Sequence, residues 1–586
     1  MDCNMPSQLD FYTDIKVVLQ GYNNANEASG NVYDILLKTL SNPDIEPDTI
    51  IHILEDLEQV ITLLTQEHKA LINVILNLKW LDKGPKMTAA YQAFILNFLS
   101  AHMFYLKPII RMLIKKFVPD INKGSETENQ EAVILKTEQD LSHIHELLKS
   151  LSQLVPTTSI LIVQMLEEHF PYLNKSTTHF EYYTRGVLAV STYMPSLRLE
   201  LLELVVKNML KLDVRSSRLD INTVICVPEE PEEMEDTIFE MASLKKNSRA
   251  PSPKLVPVAE RLASALPLAG SLDAMMTLTF QYIREICFVK DKLDWDVTKK
   301  LYREFLSIFD KFIFPTHASC HVQFLLFYIC SFREALAEGF IDYLWKKVTE
   351  PSIQSIYRQT AACFIGSFLT RATYISVNIA KEVMELMMKW LHQYLDQTVE
   401  QGLHADIAHH GTFYSVCQSA FYIFCFKHND FMQLKKGQKW AESLNFQRIV
   451  TSKLNPLRVC IPIIVRTFAS ATRMHQLAFC DTIIERNNRY SLPLTSSSYS
   501  IDLPGSKQLE SYFPFDPYLL PRSISHVASL YFEFRGSLPD EDEEDNEDID
   551  DFLPDEDDDK EVIPDPLSKS PADFLQYGIS PGFTNG

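Results

Sequence analysis

The residues best suited to metal chemistry lie in the stretch PTHASCHVQFLLFYICSF, residues 315–332. His317, Cys320 and His321 fall within five residues and could supply three ligands to a zinc ion. A structural zinc site needs four ligands, usually two close pairs separated by a loop, and no second Cys or His pair lies at that spacing. The rest of the stretch, residues 322–332, is almost entirely apolar. The stretch therefore favours the start of a buried helix, with Thr316 available as its cap.

Other signatures of catalysis are missing from the sequence. There is no GxxxxGK[ST] or GxGxxG phosphate loop, no HExxH zinc motif and no GxSxG nucleophile turn. His409 and His410 have no partner ligands nearby in the sequence, and His143 and His145 fall on different helix faces. Paired carboxylates occur mainly in two acidic runs, which cannot hold a fixed geometry. We therefore expect no enzyme activity, no catalytic residue, no cofactor and no metal. An enzyme with a His/Cys metal centre is the alternative.

The composition favours a helical protein that is soluble and intracellular. Of the 586 residues, 46% are hydrophobic, which is enough to form a large core. A chain of this length is too long to form a single compact core. Glycine is scarce, with 16 residues, which favours helices joined by short loops over phosphate loops and tight β-turns. The ten cysteines include no CxxC pair, as expected for free thiols in a reducing compartment. We find no secretory signal at the Met1 end and no apolar run of about 18 residues, so we expect no membrane association.

The negative charge is concentrated near the end of the sequence. The net charge is −22, and residues 540–561 carry 16 acidic side chains against one lysine, a net of −15. The rest of the chain therefore has a net charge of only −7. Because phosphate binding needs clustered Lys and Arg, we expect little direct DNA binding.

Helical periodicity dominates the chain. In DTIIHILEDLEQVITLLTQEH, apolar residues recur every three or four positions and form a one-sided stripe. Further segments of this kind come after it, and most are separated by proline or polar residues; one break is predicted near Lys107–Pro108. The rhythm of roughly 40 residues per helix pair predicts an all-α, HEAT-repeat-like helical solenoid. An irregular all-α globule is the alternative.

Composition shifts divide this array into parts. We predict N-terminal HEAT-like repeats over 1–223, an acidic and Pro-rich disordered insertion over 224–257, and C-terminal HEAT-like repeats over 258–535. Within the C-terminal repeats, we predict an irregular, proline-punctuated segment over 490–522. After the repeats, we predict a disordered acidic tail over 536–586.

Serines and threonines are the remaining candidates for function. Six of them, the hydroxyl set, cluster around one predicted helix and could form a docking face for a partner, controlled by phosphorylation; simple helix capping and ordinary exposure are the alternative. Three other serines precede proline, as proline-directed kinases require, and lie in the insertion and the tail. The hydroxyl set is Ser176, Thr177, Thr178, Ser191, Thr192 and Ser196, and the Ser-Pro sites are Ser252, Ser570 and Ser580.

Five blocks of sequence resemble one family. They are LYREFLSIFDKFIFPTHASCHVQFLLFYICSF, WKKVTEPSIQSIYRQTAACFIGSFLTRATYI, SLNFQRIVTSKLNPLRVCIPIIV, FCDTIIERNNR and SYFPFDPYLL. The chain resembles the Rrn-three family of RNA polymerase I-specific transcription initiation factors, growth-regulated recruitment factors, and is most similar to an animal member. The likeness is strongest over 301–520 and weaker, but traceable, through the N-terminal half.

The resemblance implies a HEAT-repeat fold without enzyme activity. It implies binding to RNA polymerase I near its stalk and to the promoter selectivity factor, regulation by protein kinases, a nuclear and nucleolar location, and a homodimer when free. It places the family's polymerase-facing serines in the neighbourhood of the hydroxyl set, and it makes THASCH a packing motif. A HEAT-type nuclear scaffold or transport-receptor-like adaptor is the alternative, and binding of a small GTPase in its GTP form would distinguish it.

Overall fold

The computed structural model describes residues 15–23, 27–119, 130–225, 257–317, 319–401, 406–491, 509 and 513–532. Almost all of the predicted insertion and the whole of the predicted tail lie outside these residues, as do the three Ser-Pro sites. The described chain is almost entirely helical, which confirms the predicted all-α class. It forms two compact units, 1–205 and 206–586.

The first unit is built from nine helices and the first part of a tenth among its described residues. Short 3-10 turns at Ile61–Leu63, Gln66–His68, Leu81–Lys83 and Met103–Tyr105 join several of them. The helices are α1 (Ile15–Asn23), α2 (Glu27–Ser41), α3 (Pro47–Gln59), α4 (Lys69–Leu76), α5 (Pro85–Ala101), α6 (Leu106–Lys115), α7 (Gln130–Leu154), α8 (Thr158–Glu168), α9 (Thr177–Tyr193) and α10 (Arg198–Asp213).

Alternate helices of this unit pack against each other. Helix α5 packs against α3 and α7, and α7 packs against α9, while α6 packs against α8. This alternation stacks helix pairs in two rows, as in HEAT-like arrays. Each row buries the apolar stripe of its helices, for example Ile53, Leu54 and Leu57 of α3.

The second unit starts in α10 and contains the remaining elements. Among its described residues, one antiparallel hairpin forms a two-stranded sheet, in which Phe288 pairs with Leu293 and Val289 with Lys292. The elements are α11 (Arg218–Ile225), α12 (Val258–Ala265), α13 (Pro267–Cys287), β1 (Phe288–Val289), β2 (Lys292–Leu293), α14 (Trp295–Ile308), a π-helix (Phe309–Ile313), α15 (Phe324–Cys330), α16 (Glu334–Thr349), α17 (Ser355–Arg371), α18 (Val377–Gln401), α19 (Ile407–Gln433), α20 (Gly437–Ser443), α21 (Phe446–Val450), α22 (Pro456–Val459), α23 (Pro462–Met474), α24 (Asp481–Ser491) and 3-10 helices at Ser523–His526 and Ala528–Leu530.

The centre of this unit is the contact between α17 and α19. Both helices are buried almost all round, so their sequences show little amphipathic pattern. Gly366 allows the close approach, because a methyl carbon added there would lie only 3.0 Å from Cβ of Ser419. The Ser419 hydroxyl donates a hydrogen bond to the carbonyl of Ala362 at 2.8 Å, which satisfies it inside the core.

Residues 513–532, which we call the strap, contain no α-helix but belong to the core of the second unit. Phe513, Phe515 and Leu520 are fully buried. The amide of Phe515 donates to the Ser367 hydroxyl at 2.9 Å, and the buried Asp273 carboxylate accepts from backbone amides of the strap. The described part of the predicted irregular segment is therefore irregular in backbone but tightly packed.

Two helix boundaries differ from the predictions. The break expected near Lys107–Pro108 lies earlier, at His102–Tyr105, and Pro108 sits in the first turn of α6, where its missing N–H has no helical partner to lose. The buried helix expected in residues 322–332 is confirmed as α15, but the expected helix start at Thr316 was wrong. Thr316 follows the end of the preceding π-helix, and its hydroxyl donates back to the carbonyl of Phe312 at 2.6 Å, while α15 begins at Phe324.

No single helix within the described ranges has the length and apolar composition needed to cross a membrane. One pair, Pro85–Ala101 with Met103–Lys115, meets that requirement together but is bent by 119°.

Candidate partner-binding surface

Helix α9 presents the first half of the hydroxyl set at its N-terminus. Ser176 has an extended backbone at the N-cap position, and Thr177 and Thr178 form the first turn, so the predicted helix start is confirmed. The Ser176 Oγ lies 2.7 Å from Nδ1 of His179, and the Ser176 side chain is exposed. These hydroxyls surround the unsatisfied N–H groups of a helix end, a position that favours negative charge.

The second half of the set lies at the other end of α9. Thr192 and Ser196 are exposed, and the Thr192 hydroxyl donates to the carbonyl of Ala189 at 2.7 Å. Ser191 is placed differently from the expectation of a shared docking face. It is 1% exposed, and its hydroxyl donates to the carbonyl of Leu188 at 2.6 Å. Ser191 lies one turn after buried Val187 and is therefore on the inner face of the helix.

A surface stripe connects the two ends. Thr178, Arg185 and Thr192 are spaced by seven residues, so they lie within about 40° of one another on the outer face of α9. They span about 21 Å along the helix axis. In the middle of the stripe, the Arg185 guanidinium lies 3.2 Å from Oε1 of Glu138 on α7 and 3.8 Å from Oε1 of Glu181. We call these three residues the α9 stripe.

The inner side of α9 is fixed to α7 near the C-terminal end of the stripe. Nδ1 of His145 lies 3.1 Å from the Tyr193 hydroxyl, and the His145 ring packs against Phe117. Burial lowers the pKa of His145 to about 4 and raises the pKa of Tyr193. Both groups are therefore neutral at neutral pH. The contact that joins the C-terminal end of α9 to α7 thus carries no net charge.

The THASCH motif packs around the carboxylate of Asp213, whose importance was not predicted from the sequence. Oδ2 of Asp213 accepts hydrogen bonds from the Ser319 hydroxyl at 2.8 Å and from the amides of Cys320 and His321 at 2.9 Å each. The amide of Val322 donates to the same oxygen at 3.2 Å, and Oδ1 lies 2.9 Å from Nδ1 of His321. Asp213 is thus the organising residue of the motif.

This geometry assigns the His and Cys of the motif a packing role. His317 is exposed, whereas Cys320 and His321 are buried, so the three possible ligands do not converge. Burial raises the pKa of the Cys320 thiol to about 11. Burial alone would raise the pKa of Asp213, but the hydrogen bonds from His321 and Ser319 outweigh it and lower that pKa. Among the described residues no group of three or more His, Cys, Asp or Glu is arranged to hold a metal ion.

A second buried charge ties the strap to the helices. Nη2 of Arg371 lies 3.2 Å from Oδ1 of Asp516, and both side chains are at most 2% exposed. The Arg371 guanidinium also stacks on the rings of Phe426 and Tyr531. Arg218 donates to the carbonyl of Asp516 at 3.2 Å. Neither Asp213 nor Arg371 was predicted. For Arg371 the available signal was a single charge at the end of an apolar run, whereas Asp213 follows Lys207 and Lys211 and its neighbourhood in the sequence gave no such signal.

Comparison with known proteins decides the family. The family model described as RNA polymerase I specific transcription initiation factor RRN3 matches residues 7–538. The mouse RNA polymerase I-specific transcription initiation factor RRN3 is 38% identical over 516 residues, which cover 86% of this chain and 78% of the mouse protein. The chain belongs to the RRN3 family of RNA polymerase I-specific transcription initiation factors.

More distant members of the RRN3 family agree with this assignment. The factor rrn3 from Schizosaccharomyces pombe is 25% identical over 508 residues, which cover 83% of this chain and 80% of that protein. The crystal structure of RNA Polymerase I Transcription Initiation Factor Rrn3 superimposes with a TM-score of 0.70 at 21% identity, covering 88% of this chain and 97% of that structure. This likeness supports the fold and confirms the predicted helical architecture.

Membership of the RRN3 family confirms the resemblance seen in the five sequence blocks. It also confirms that the chain is not an enzyme, because the family consists of transcription initiation factors. Initiation by RNA polymerase I is a nuclear process, so the family implies a nuclear function.

Proposed function

We propose that this chain binds RNA polymerase I near its stalk and bridges it to the promoter selectivity factor at ribosomal RNA genes. Membership of the RRN3 family over residues 7–538 carries this proposal. An array of stacked helices suits a bridging role, because it exposes extended surfaces that two large partners can contact at once. The proposed place of action is the nucleolus, and a homodimer of the free protein is part of the same proposal.

The proposed polymerase-docking surface includes the α9 stripe with Ser176, Thr177 and Ser196. The stripe combines hydroxyl groups with one arginine, so it offers both donors and acceptors to a polar partner surface. Ser191 is excluded from the contact, because its side chain is inside the unit.

Protein kinases would control this surface by adding charge. A phosphate carries about −2 charges at neutral pH. At Thr192 it would stand at the C-terminal end of α9, where the helix dipole disfavours negative charge. At Ser176 it would stand at the N-terminal end, where the dipole stabilises it, so the helix would remain intact while the surface changed. The three Ser-Pro sites, Ser252, Ser570 and Ser580, are further proposed kinase targets.

The test is co-elution of the full-length protein with purified RNA polymerase I, before and after phosphatase treatment, with the variant Thr192→Glu/Ser196→Glu. We expect this variant to bind about tenfold more weakly, which corresponds to about 1.4 kcal/mol. Ser443→Glu/Thr451→Glu is the matched control, because these two hydroxyls are exposed in the second unit and make the same kind of backbone hydrogen bond, to the carbonyls of Trp440 at 2.5 Å and Gln447 at 2.7 Å.

Equal binding by both variants would place the docking surface elsewhere, while a stable complex would still support recruitment. Failure of the unmodified protein to bind the polymerase in either phosphorylation state would contradict the proposed function itself.

A further inference from the structure

The last helices of the second unit and the turns between them carry an excess of exposed basic side chains, although the protein is acidic. Residues 435–489 contain ten basic and three acidic side chains, a net charge of +7, although the chain as a whole carries −22. All ten basic side chains are exposed. We use the name basic surface for these ten exposed side chains: Lys435, Lys436, Lys439, Arg448, Lys453, Arg458, Arg466, Arg473, Arg486 and Arg489.

Most of these cations are available to an outside anion. Arg448 pairs with Asp396, Arg473 lies 3.5 Å from Asp481, and Arg489 lies 3.7 Å from Glu485. The other seven form no ion pair with any carboxylate in the part of the chain that the structure describes. Uncompensated like charges on one surface repel one another, so an acidic segment placed there would be stabilised.

Two large apolar side chains are exposed in the same stretch, and Arg473 directly precedes the first of them. Met474 and Phe479 are each 62% exposed, at the two ends of the turn between α23 and α24. The turn is held in place by neighbouring helices: Gln447 Oε1 accepts from the amide of Phe479 at 2.8 Å, and Gln438 donates to the carbonyl of His475 at 3.0 Å. An exposed apolar pair in a stretch with many exposed cations fits an acidic segment that carries apolar residues of its own.

The chain contains such a segment, and the last described residue before it lies close to the turn. Residues 540–561 have a net charge of −15, and Phe552 and Leu553 lie between two of their acidic runs. The last described residue, Phe532, has its ring 6.3 Å from that of Phe426 on α19. Two residues further along α19, the ring of His428 lies 5.4 Å from that of His475 in the turn.

The intervening chain is long enough for this contact. Seven residues, 533–539, separate Phe532 from the first acidic residue, and they can span up to about 23 Å. A short tether of this kind gives an effective concentration on the order of millimolar, so even a weak electrostatic contact is populated.

We propose that residues 540–561 bind the basic surface of the same molecule, with Phe552 and Leu553 covering Met474 and Phe479. The bound segment neutralises the exposed cations and keeps other polyanions away from them. Any partner that uses the basic surface must displace the segment. The contact weakens with salt, because exposed charges are screened within about 3 Å at 1 M ionic strength. This inference does not depend on the proposed polymerase contact.

Zero-length carbodiimide cross-linking of the full-length protein tests the proposal. The reagent joins a lysine amine to a carboxylate in direct contact, and an equal mixture of ¹⁴N- and ¹⁵N-labelled protein distinguishes links within one copy from links between copies. We expect Lys435, Lys436, Lys439 and Lys453 to link to residues 540–561 within one copy, and about 1 M salt to abolish these links.

Two full-length variants test the two sides of the proposed contact, and both keep the four lysines whose cross-links are measured. Arg458→Glu/Arg466→Glu/Arg473→Glu and Phe552→Ser/Leu553→Ser should each reduce the link yield by about fivefold or more. The matched control Lys38→Glu/Lys69→Glu/Lys86→Glu changes the net charge by the same amount through exposed side chains of the first unit and should leave the yield unchanged.

Three results would overturn the proposal. The first is a link yield no higher than at Lys38, Lys69 and Lys86 of the unmodified protein. The second is links found only between differently labelled copies, which would make a second molecule the occupant. The third is links to the other acidic run, residues 229–236, in place of the tail.

Discussion

At the scale of single residues, a buried carboxylate explains the motif that first suggested metal chemistry. Asp213 is 1% exposed, and its two oxygens meet three successive backbone amides, one hydroxyl and one imidazole. Buried polar groups without partners are costly, so these five groups depend on one side chain that lies more than 100 positions earlier in the chain. Spacing within THASCH could not reveal a partner at that distance.

Replacing Asp213 should therefore destabilise the second unit in a graded way. Asp213→Ala leaves three buried amides and the His321 ring without their acceptor, and we expect a loss of about 3 kcal/mol or more in the free energy of unfolding. Asp213→Asn keeps one acceptor oxygen and should lose less. Urea unfolding measures both, with Asp220→Asn as the control at an exposed position nearby, where the change should stay within about 0.5 kcal/mol. An Ala variant as stable as the control would show that the motif does not depend on this carboxylate.

Sequence reasoning succeeded with residues whose partners are local. Ser176 lies at the N-cap, as its place before a periodic segment predicted. It failed where a tertiary contact decides the outcome. Ser191 is on the inner face of α9, and Thr316 follows a π-helix that the sequence did not predict. Burial and hydrogen-bond direction at these positions depend on which neighbouring helix packs there.

At the scale of elements, the class of each segment was predictable and its packing partner was not. The periodicity indicated helices throughout, because apolar stripes at intervals of three and four suit only that geometry. Helices α17 and α19 are buried almost all round, so their sequences do not show which face of each helix packs against which neighbour. Their contact depends on the close approach at Gly366, which the sequence shows only as one glycine in an apolar run.

This contact yields a prediction for the pair Gly366 and Ser419. Gly366→Ala places a methyl carbon 3.0 Å from Cβ of Ser419, so it should destabilise the second unit by about 1–3 kcal/mol despite the better helix propensity of alanine. Adding Ser419→Gly removes the clashing side chain and should restore part of that loss. Thermal unfolding of the two single variants and the double variant gives the coupling free energy. Strictly additive effects would mean that the two helices adjust without strain.

At the scale of the whole molecule, segments that are distant in the sequence share the core of the second unit. Basic and acidic side chains are concentrated in different stretches of the sequence. The strap joins α13, α15 and α17, which precede it by more than 140 positions. Composition identified this segment only as irregular, because proline and aromatic residues without periodicity resemble a linker. The concentration of negative charge after residue 539 was evident from the sequence. The excess of exposed basic side chains was less evident, because the ten cations are spread over 55 residues and their exposure depends on how the helices pack.

The strap makes the effect of truncation depend sharply on position. A chain ending at residue 508 loses Phe513, Phe515, Tyr518 and Leu520, each of which contributes about 1.5–3 kcal/mol through burial. Their sum is comparable to the whole stability of a typical domain, about 5–15 kcal/mol, and Asp273 and Arg371 would also lose buried partners. We therefore expect the second unit of this chain to unfold, with rapid amide hydrogen exchange in α13 and α17. A chain ending at residue 538 keeps every one of these contacts and should exchange as slowly as the full-length protein. Equal protection in both truncated chains would show that the helices of the second unit hold together without the strap.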